Sequence, residues 1–202
     1  MSTEYSLGVL LAVIVLFSAA FIFLNSKDTT STPVTIGATD STSNDTYAVQ
    51  PYIEIAEPAG YVNTNDQPFT IGQYVGEKVI LVYFLTYSCI NCQRTFPYLN
   101  TWYDKYEDEG FVIIGIHTPE FAFEKNKLNV EKAMKDSGIS FPVVLDNEYG
   151  TWRLYENRFW PRMYLIDING DIVYDHIGEG AYEETEDKIK ELLAERALVL
   201  NR

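Results

Sequence analysis

The chain holds two cysteines, Cys89 and Cys92, separated by Ile90 and Asn91. Two thiols one helical turn apart can exchange an electron pair with a disulfide, one attacking and the other closing a bond behind it. The thiolate is the attacking species, so the first thiol needs a lowered pKa. The start of a helix supplies this through unpaired N–H groups and the macrodipole. Cys89 is therefore assigned the attack and Cys92 the resolving step. Ile90 and Asn91 bring no cation, which leaves the helix start to do most of the lowering, with Asn91 a candidate to tune it. A structural zinc site needs four ligands, and the two histidines, His117 and His176, lack the paired spacing of a finger, so no metal and no cofactor is assigned. As a staple the pair would be weak, because so short a loop gains only about 2 kcal/mol.

The flanking elements must place Cys89 at a helix start. Val79 to Leu85, Phe111 to Ile116 and Phe141 to Leu145 are nearly continuous apolar runs, the pattern of central strands covered on both faces. Between the first two, Cys92, Phe96, Leu99, Tyr103 and Tyr106 recur at helical spacing up to Glu109-Gly110, where glycine can take a left-handed C-terminal position. Cys89 thus falls at a strand-to-helix junction. Met163 to Ile168 and Asp171 to Tyr174 flank Asn169-Gly170, a two-residue hairpin signal between antiparallel strands. The acids of Asp167 to Asp171 read as that hairpin, since the later ligands of a calcium loop are absent. A last helix is expected from about Glu183 to Leu198, with Ile189, Leu192, Leu193 and Ala197 inward. The order βαβ, a helical stretch and strand, then ββα predicts an α/β fold with a central mixed sheet flanked by helices.

With 202 residues there is room for one folded domain, expected over residues 51–202. From Leu7 to Leu24 every residue is apolar or small, a helix of roughly 27 Å that reads as a membrane anchor, with a cleaved secretory signal ending near Ser18-Ala19-Ala20 as the alternative. This assigns residues 1–26 to the anchor or signal and 27–50, rich in Ser, Thr, Asp and Asn, to a flexible linker. A net charge of −14 excludes nucleic acid as a partner, because that binding draws on Lys and Arg neutralising phosphates.

Tyr83-Phe84-Leu85-Thr86-Tyr87-Ser88-Cys89-Ile90-Asn91-Cys92 resembles the redox segment of thioredoxin-fold proteins of the TlpA/ResA-like (AhpC/TSA-redoxin) family, in particular the C-terminal thioredoxin-like domain of DipZ-type proteins. The likeness continues through Gly115 to Lys125, Trp160-Pro161, Tyr164 to Asp167 and Gly178-Glu179-Gly180 with Tyr182, and covers roughly Tyr52 to Leu198. It implies a thioredoxin-like fold with an N-terminal extension and a central insertion around His117 to Lys135. It also implies a redox role outside the cytoplasm on protein disulfides, as a reductant or isomerase, with cytochrome c maturation one setting and a CcdA/DsbD-type transmembrane electron donor. Residue by residue, Pro97 matches the proline inside the active-site helix and Pro161 a cis-proline beside the cysteines. The backbone of Trp160 then pairs with an extended substrate segment. From the residues themselves, Tyr83, Phe84, Tyr87 and Trp160 are candidates for an apolar substrate platform, with core packing as the alternative, and Ser88 is assigned to the substrate contact. The buried acid that thioredoxins carry six residues before the first cysteine is replaced by Tyr83. The resemblance offers Glu120, a partly desolvated carboxylate near the cysteines, as the proton-transfer group, with a solvated loop glutamate as the alternative. His117 is either a tuning residue or a structural histidine at a strand end, and His176 is placed on the surface.

Two other functions compete. A Sco-like copper chaperone would use the thiolates for Cu(I), but that family resembles C-x-x-x-C with a distant His, one residue longer than the spacing here. A peroxiredoxin-like peroxidase is suggested by Thr86-Tyr87-Ser88-Cys89, but Val82 stands where that family has proline.

Overall fold

A computed structural model describes residues 50–201. The expected anchor or signal, residues 1–26, and positions 27–49 of the expected linker lie outside the described residues. Among the described residues no helix is long and apolar enough to cross a membrane.

One sheet of seven strands forms the centre. The strands are β1 (Gln50–Pro51), β2 (Gly60–Val62), β3 (Val79–Leu85), β4 (Phe111–His117), β5 (Val143–Leu145), β6 (Arg162–Ile166) and β7 (Asp171–Ile177), in the order β1-β7-β6-β3-β4-β5-β2. β3 runs parallel to β4 and β4 to β5, while β3–β6, β6–β7, β7–β1 and β5–β2 are antiparallel. The helices are α1 (Ile90–Tyr106), α2 (Lys127–Asp136), α3 (Gly150–Leu154) and α4 (Tyr182–Leu200).

The alternation of side chains along a strand explains why the central runs are apolar throughout. Val79, Leu81, Tyr83 and Leu85 of β3 face a core shared with Phe96, Leu99 and Trp102 of α1, Val130 and Met134 of α2, and Ile189 and Leu192 of α4. Ile80, Val82 and Phe84 face the opposite core, closed by Phe69, Ile71 and Tyr155. All seven residues of β3 and all seven of β4 are buried. Pro97 lies inside α1, where it cannot donate a hydrogen bond to the carbonyl one turn earlier. α1 passes into a short 3-10 turn that ends at Gly110, in the expected left-handed conformation with φ +95°.

The structure corrects several expectations. Gln50, assigned to the linker, pairs with Ile172, and the edge strands β1 and β2 are added to the sheet. β5 begins at Val143 rather than Phe141, although Phe141 is fully buried. β7 continues three residues past Tyr174, and His176 on it is half-buried rather than a surface residue. The β6–β7 connection is longer than two residues. Asp167 N donates to the Asp171 carbonyl, and the Asp167 carboxylate accepts from the N–H groups of Asn169 and Asp171. Gly170, at φ +91°, takes the left-handed place such a loop requires. The stretch expected as an insertion holds a 3-10 turn, Ala122–Lys125, followed by α2.

Candidate active site

Three chain segments meet at one end of the sheet. β3 ends at Leu85, opposite His117 at the end of β4, while Phe84 faces Arg162 at the start of β6. The loop from Thr86 to Cys89 leaves β3, the segment from Thr118 to Glu124 leaves β4, and Trp160-Pro161 enters β6. Together with Asn91 and Cys92 in the first turn of α1 and His117 at the end of β4, these segments carry the site residues expected from the sequence.

Cys89 is the N-cap of α1, in extended conformation (φ −68°, ψ 118°), and is half-buried. Cys92, one turn on, is fully buried, and both cysteines are free thiols. The Trp160–Pro161 peptide is cis, and the Trp160 carbonyl lies 3.8 Å from Cys89 Sγ. Trp160 is fixed from two sides, because its Nε1 donates to the Thr118 carbonyl at 3.0 Å and its ring lies 4.3 Å from that of Trp152. Trp152 sits at the start of α3, where the buried Asp146 carboxylate accepts from the N–H groups of Thr151 and Trp152 and from the Thr118 hydroxyl. Burial pushes the Asp146 carboxyl up in spite of these bonds.

Glu120 is exposed, so the desolvation expected of it is absent. The buried carboxylate of this segment is Glu124, which sequence reasoning passed over. Ser88 Oγ donates to Glu124 Oε1 at 2.5 Å, and the N–H groups of Glu120 and Phe121 donate to Oε2 at 2.6 and 2.8 Å. One side chain thereby ties the loop before Cys89 to the segment after β4. Its bond to Phe121 N is half of a capping box, and a glutamate three residues past a turn's first N–H was the signal that could have found it. Burial raises the Glu124 carboxyl, but the Ser88 hydroxyl and the two N–H groups outweigh it and hold it below its ordinary value.

His117 is fully buried, with neither ring nitrogen hydrogen-bonded among the described residues, and its ring stacks on Tyr87 at 5.6 Å. Burial lowers its pKa to about 4 against the opposing pull of Glu124, so the ring is neutral at pH 7. Tyr87 is half-buried and Ser88 exposed apart from its bond to Glu124. Tyr83 is buried, its hydroxyl 3.5 Å from the Cys92 carbonyl it donates to. Burial and the neighbouring Cys92 keep that phenol protonated, so it supplies no carboxylate's proton chemistry. Among the described residues no three His, Cys, Asp or Glu side chains cluster as a metal site.

Comparison with known proteins places this geometry. The Redoxin family profile matches residues 44–193. The chain belongs to the Redoxin family. Protein DipZ of Mycobacterium bovis is 47% identical over 135 residues, which is 66% of this chain and 19% of DipZ, so the chain spans about a fifth of that relative. The thiol-disulfide oxidoreductase YkuV of Bacillus subtilis is 25% identical over 146 residues, 72% of this chain and 96% of YkuV. ResA of Geobacillus kaustophilus, also a thiol-disulfide oxidoreductase, is 32% identical over 102 residues, 50% of this chain and 55% of ResA. Among solved structures, a thioredoxin-family thiol:disulfide interchange protein of Chlorobium tepidum superposes with a TM-score of 0.61 at 21% identity, over 73% of this chain and 98% of that one. A thioredoxin-like protein in its oxidised form gives 0.66 at 24% identity, over 73% and 97%. The fold is thioredoxin-like, as expected, and two of the relatives bear the name thiol-disulfide oxidoreductase.

In this Redoxin-family domain the two thiols are driven apart. Cys89 is lowered from 9.0 to about 6, chiefly by the adjacent Cys92 thiol, then against burial by the N–H groups of Cys92 and Asn91. Asn91 thus acts through its backbone. Glu120 opposes the shift through its charge. Cys92 is pushed far up by burial and by the Cys89 sulfur. At pH 7 a thiol with a pKa of about 6 is about nine-tenths thiolate, the form needed for attack.

Two outcomes follow. Alkylation of Cys89 by iodoacetamide will rise with a midpoint near pH 6 and level off above pH 7, and in Cys92→Ala the midpoint will move toward 9. An unchanged midpoint in that variant would remove the Cys92 thiol as the cause. For Glu124, Glu124→Ala will cost about 1–3 kcal/mol in urea denaturation at pH 7, because Ser88 and two N–H groups lose their acceptor. Glu124→Gln will restore most of this, its amide nitrogen donating to Ser88 Oγ. Since the folded carboxyl titrates below its unfolded value near 4.5, the wild-type contribution is complete above that pH and is lost as pH falls through the folded pKa. Glu124→Gln will lack that acid-side loss.

Proposed function

We propose that the chain is a membrane-anchored reductant or isomerase of protein disulfides, held by the apolar stretch Leu7 to Leu24 with its domain outside the cytoplasm. The carrying observation is the split pair of thiols beside a cis-proline: an ionised Cys89 at a helix start and a buried, protonated Cys92 behind it. The names borne by YkuV and ResA support the same chemistry.

The Cys89 thiolate attacks one sulfur of a client disulfide. The client S–S bond breaks, its second sulfur leaves as a thiolate, and a mixed disulfide joins Cys89 to the client. Cys92 then gives up its proton and attacks Cys89 Sγ, which releases the client's remaining sulfur as a thiolate. Two electrons have passed to the client, and Cys89 and Cys92 are joined. Release of the client before Cys92 attacks, by one of the client's own thiols, makes the same site an isomerase. In the reducing cycle a dithiol donor must restore the pair, and a transmembrane protein of the CcdA/DsbD type would supply electrons across the membrane. Apocytochrome c, with its two closely spaced thiols, is a fitting client.

Cys92→Ser will accumulate disulfide-linked clients on a non-reducing gel, and Cys89→Ser will not. Equilibration of the wild type in dithiothreitol buffers will give a single two-electron transition, and a potential near or below about −250 mV will mark a reductant. A potential above about −150 mV would overturn the reducing direction, and absence of a reversible disulfide would overturn the oxidoreductase reading itself.

A further inference from the structure

The segment after β4 turns two large aromatic rings outward. Phe121 is 49% exposed and Phe123 55%, and the two rings stack at 5.5 Å with 6° between their planes. Phe123 also meets the edge of Tyr87 at 6.2 Å, two residues before the attacking sulfur. Ile90, the residue after that sulfur, is 57% exposed. The result is a contiguous aromatic rim from Phe121 through Phe123 to Tyr87, with an exposed Ile90 following Cys89 in the chain.

This rim is rigidly held. Glu124, fully buried, accepts from the N–H of Phe121 on one side and from Ser88 on the other, and Asn129 Nδ2 donates to the Phe123 carbonyl. Exposed aromatic rings on a pinned turn lose little freedom when they are covered, which is the property of a preorganised contact. Ser88, the neighbour of Cys89, is bonded to Glu124, the neighbour of Phe123, so the rim adjoins the contact that chemistry at Cys89 requires. An extended chain advances about 3.3 Å per residue, so side chains a few positions from a client cysteine span the distance from the reactive sulfur to a neighbouring loop. An anionic lipid surface fits poorly, because the chain carries −14 and Glu120 sits exposed beside Phe121.

We infer that Phe121 and Phe123 form a docking site for apolar or aromatic side chains that flank the reactive cysteine of an extended polypeptide. The site selects segments that a folded protein would bury, and so directs the chemistry to unfolded or misfolded chains. This rests on the disulfide-exchange reading above and deepens it.

The test uses the reduced full chain and two peptides, each with one cysteine blocked by thionitrobenzoate, one flanked by Phe and Leu and the other by Ser and Gly. Attack on the peptide sulfur releases the coloured thiolate, which gives the rate constant directly. The wild type will react about tenfold faster with the apolar peptide, equivalent to about 1.4 kcal/mol. A Phe121→Ser/Phe123→Ser variant will lose that preference while keeping its rate with hydroxyethyl disulfide, which has no flanking side chains. A Phe121→Leu/Phe123→Leu variant, apolar and conservative, will retain part of the preference and guards against a folding defect in the serine pair. Equal wild-type rates on both peptides would overturn the inference. So would an unchanged preference in the serine variant, whether that variant instead alters self-association in sedimentation or binding to anionic vesicles. No reaction of the wild type with any of the disulfides would overturn the oxidoreductase reading instead.

Discussion

The site depends on the two ladders that β3 makes, parallel to β4 and antiparallel to β6. Because β3 and β4 point the same way, their C-terminal ends lie side by side. Because β6 runs opposite, its N-terminal end joins them. A nucleophile after β3, a carboxylate after β4 and a cis-proline before β6 are thus brought together from positions up to 72 residues apart. A shift of one residue in either ladder would turn every side chain of β3 to the other core, and both cores are filled. The burial of the strand therefore fixes the register, and the register fixes the chemistry.

The pairing of Ser88 with Glu124 adds a second constraint at right angles to the first. The ladders set where the strand ends lie, but the loops beyond them have no ladder of their own. A buried carboxylate with three donors from two loops gives those loops a common anchor, and hydrogen bonds to a charged acceptor are the stronger kind. Asp146 plays a similar part for α3, and through Trp152 it braces Trp160. Two buried acids thus brace the segments that surround the same reactive sulfur.

Much of this was legible in the sequence wherever burial writes a continuous signal. The apolar runs of β3 and β4 and the helical spacing from Cys92 to Tyr106 located the strand-to-helix junction, and with it both cysteines. The cis peptide at Pro161 came from resemblance rather than from the residues themselves. Short edge strands escaped because two or three residues such as Gln50–Pro51 carry no period. β7 was read too short because it lies toward the sheet edge and alternates half-buried with exposed residues, so its polar end at Asp175-His176 resembled a loop. Glu120 was offered by family resemblance alone, and Glu124 lies one turn further along the same segment. The capping-box spacing of Glu124 was the one mark that set it apart, and the fold shows that it points inward.

The burial of Cys92 has a consequence for the order of events. Three influences hold its proton in place: its seclusion, its bond to the Cys89 sulfur and the negative charge on that sulfur. When Cys89 becomes part of a mixed disulfide, its charge is gone, and with it the repulsion that made a second anion costly. The Thr86 N–H and the Tyr83 hydroxyl, which favour the ionised form, remain. Cys92 is therefore held most firmly while the site is empty, and capture removes the charge of the Cys89 sulfur while burial, the largest restraint, stays. Such a difference keeps the idle pair from discharging and makes the arrival of a client favour its own release.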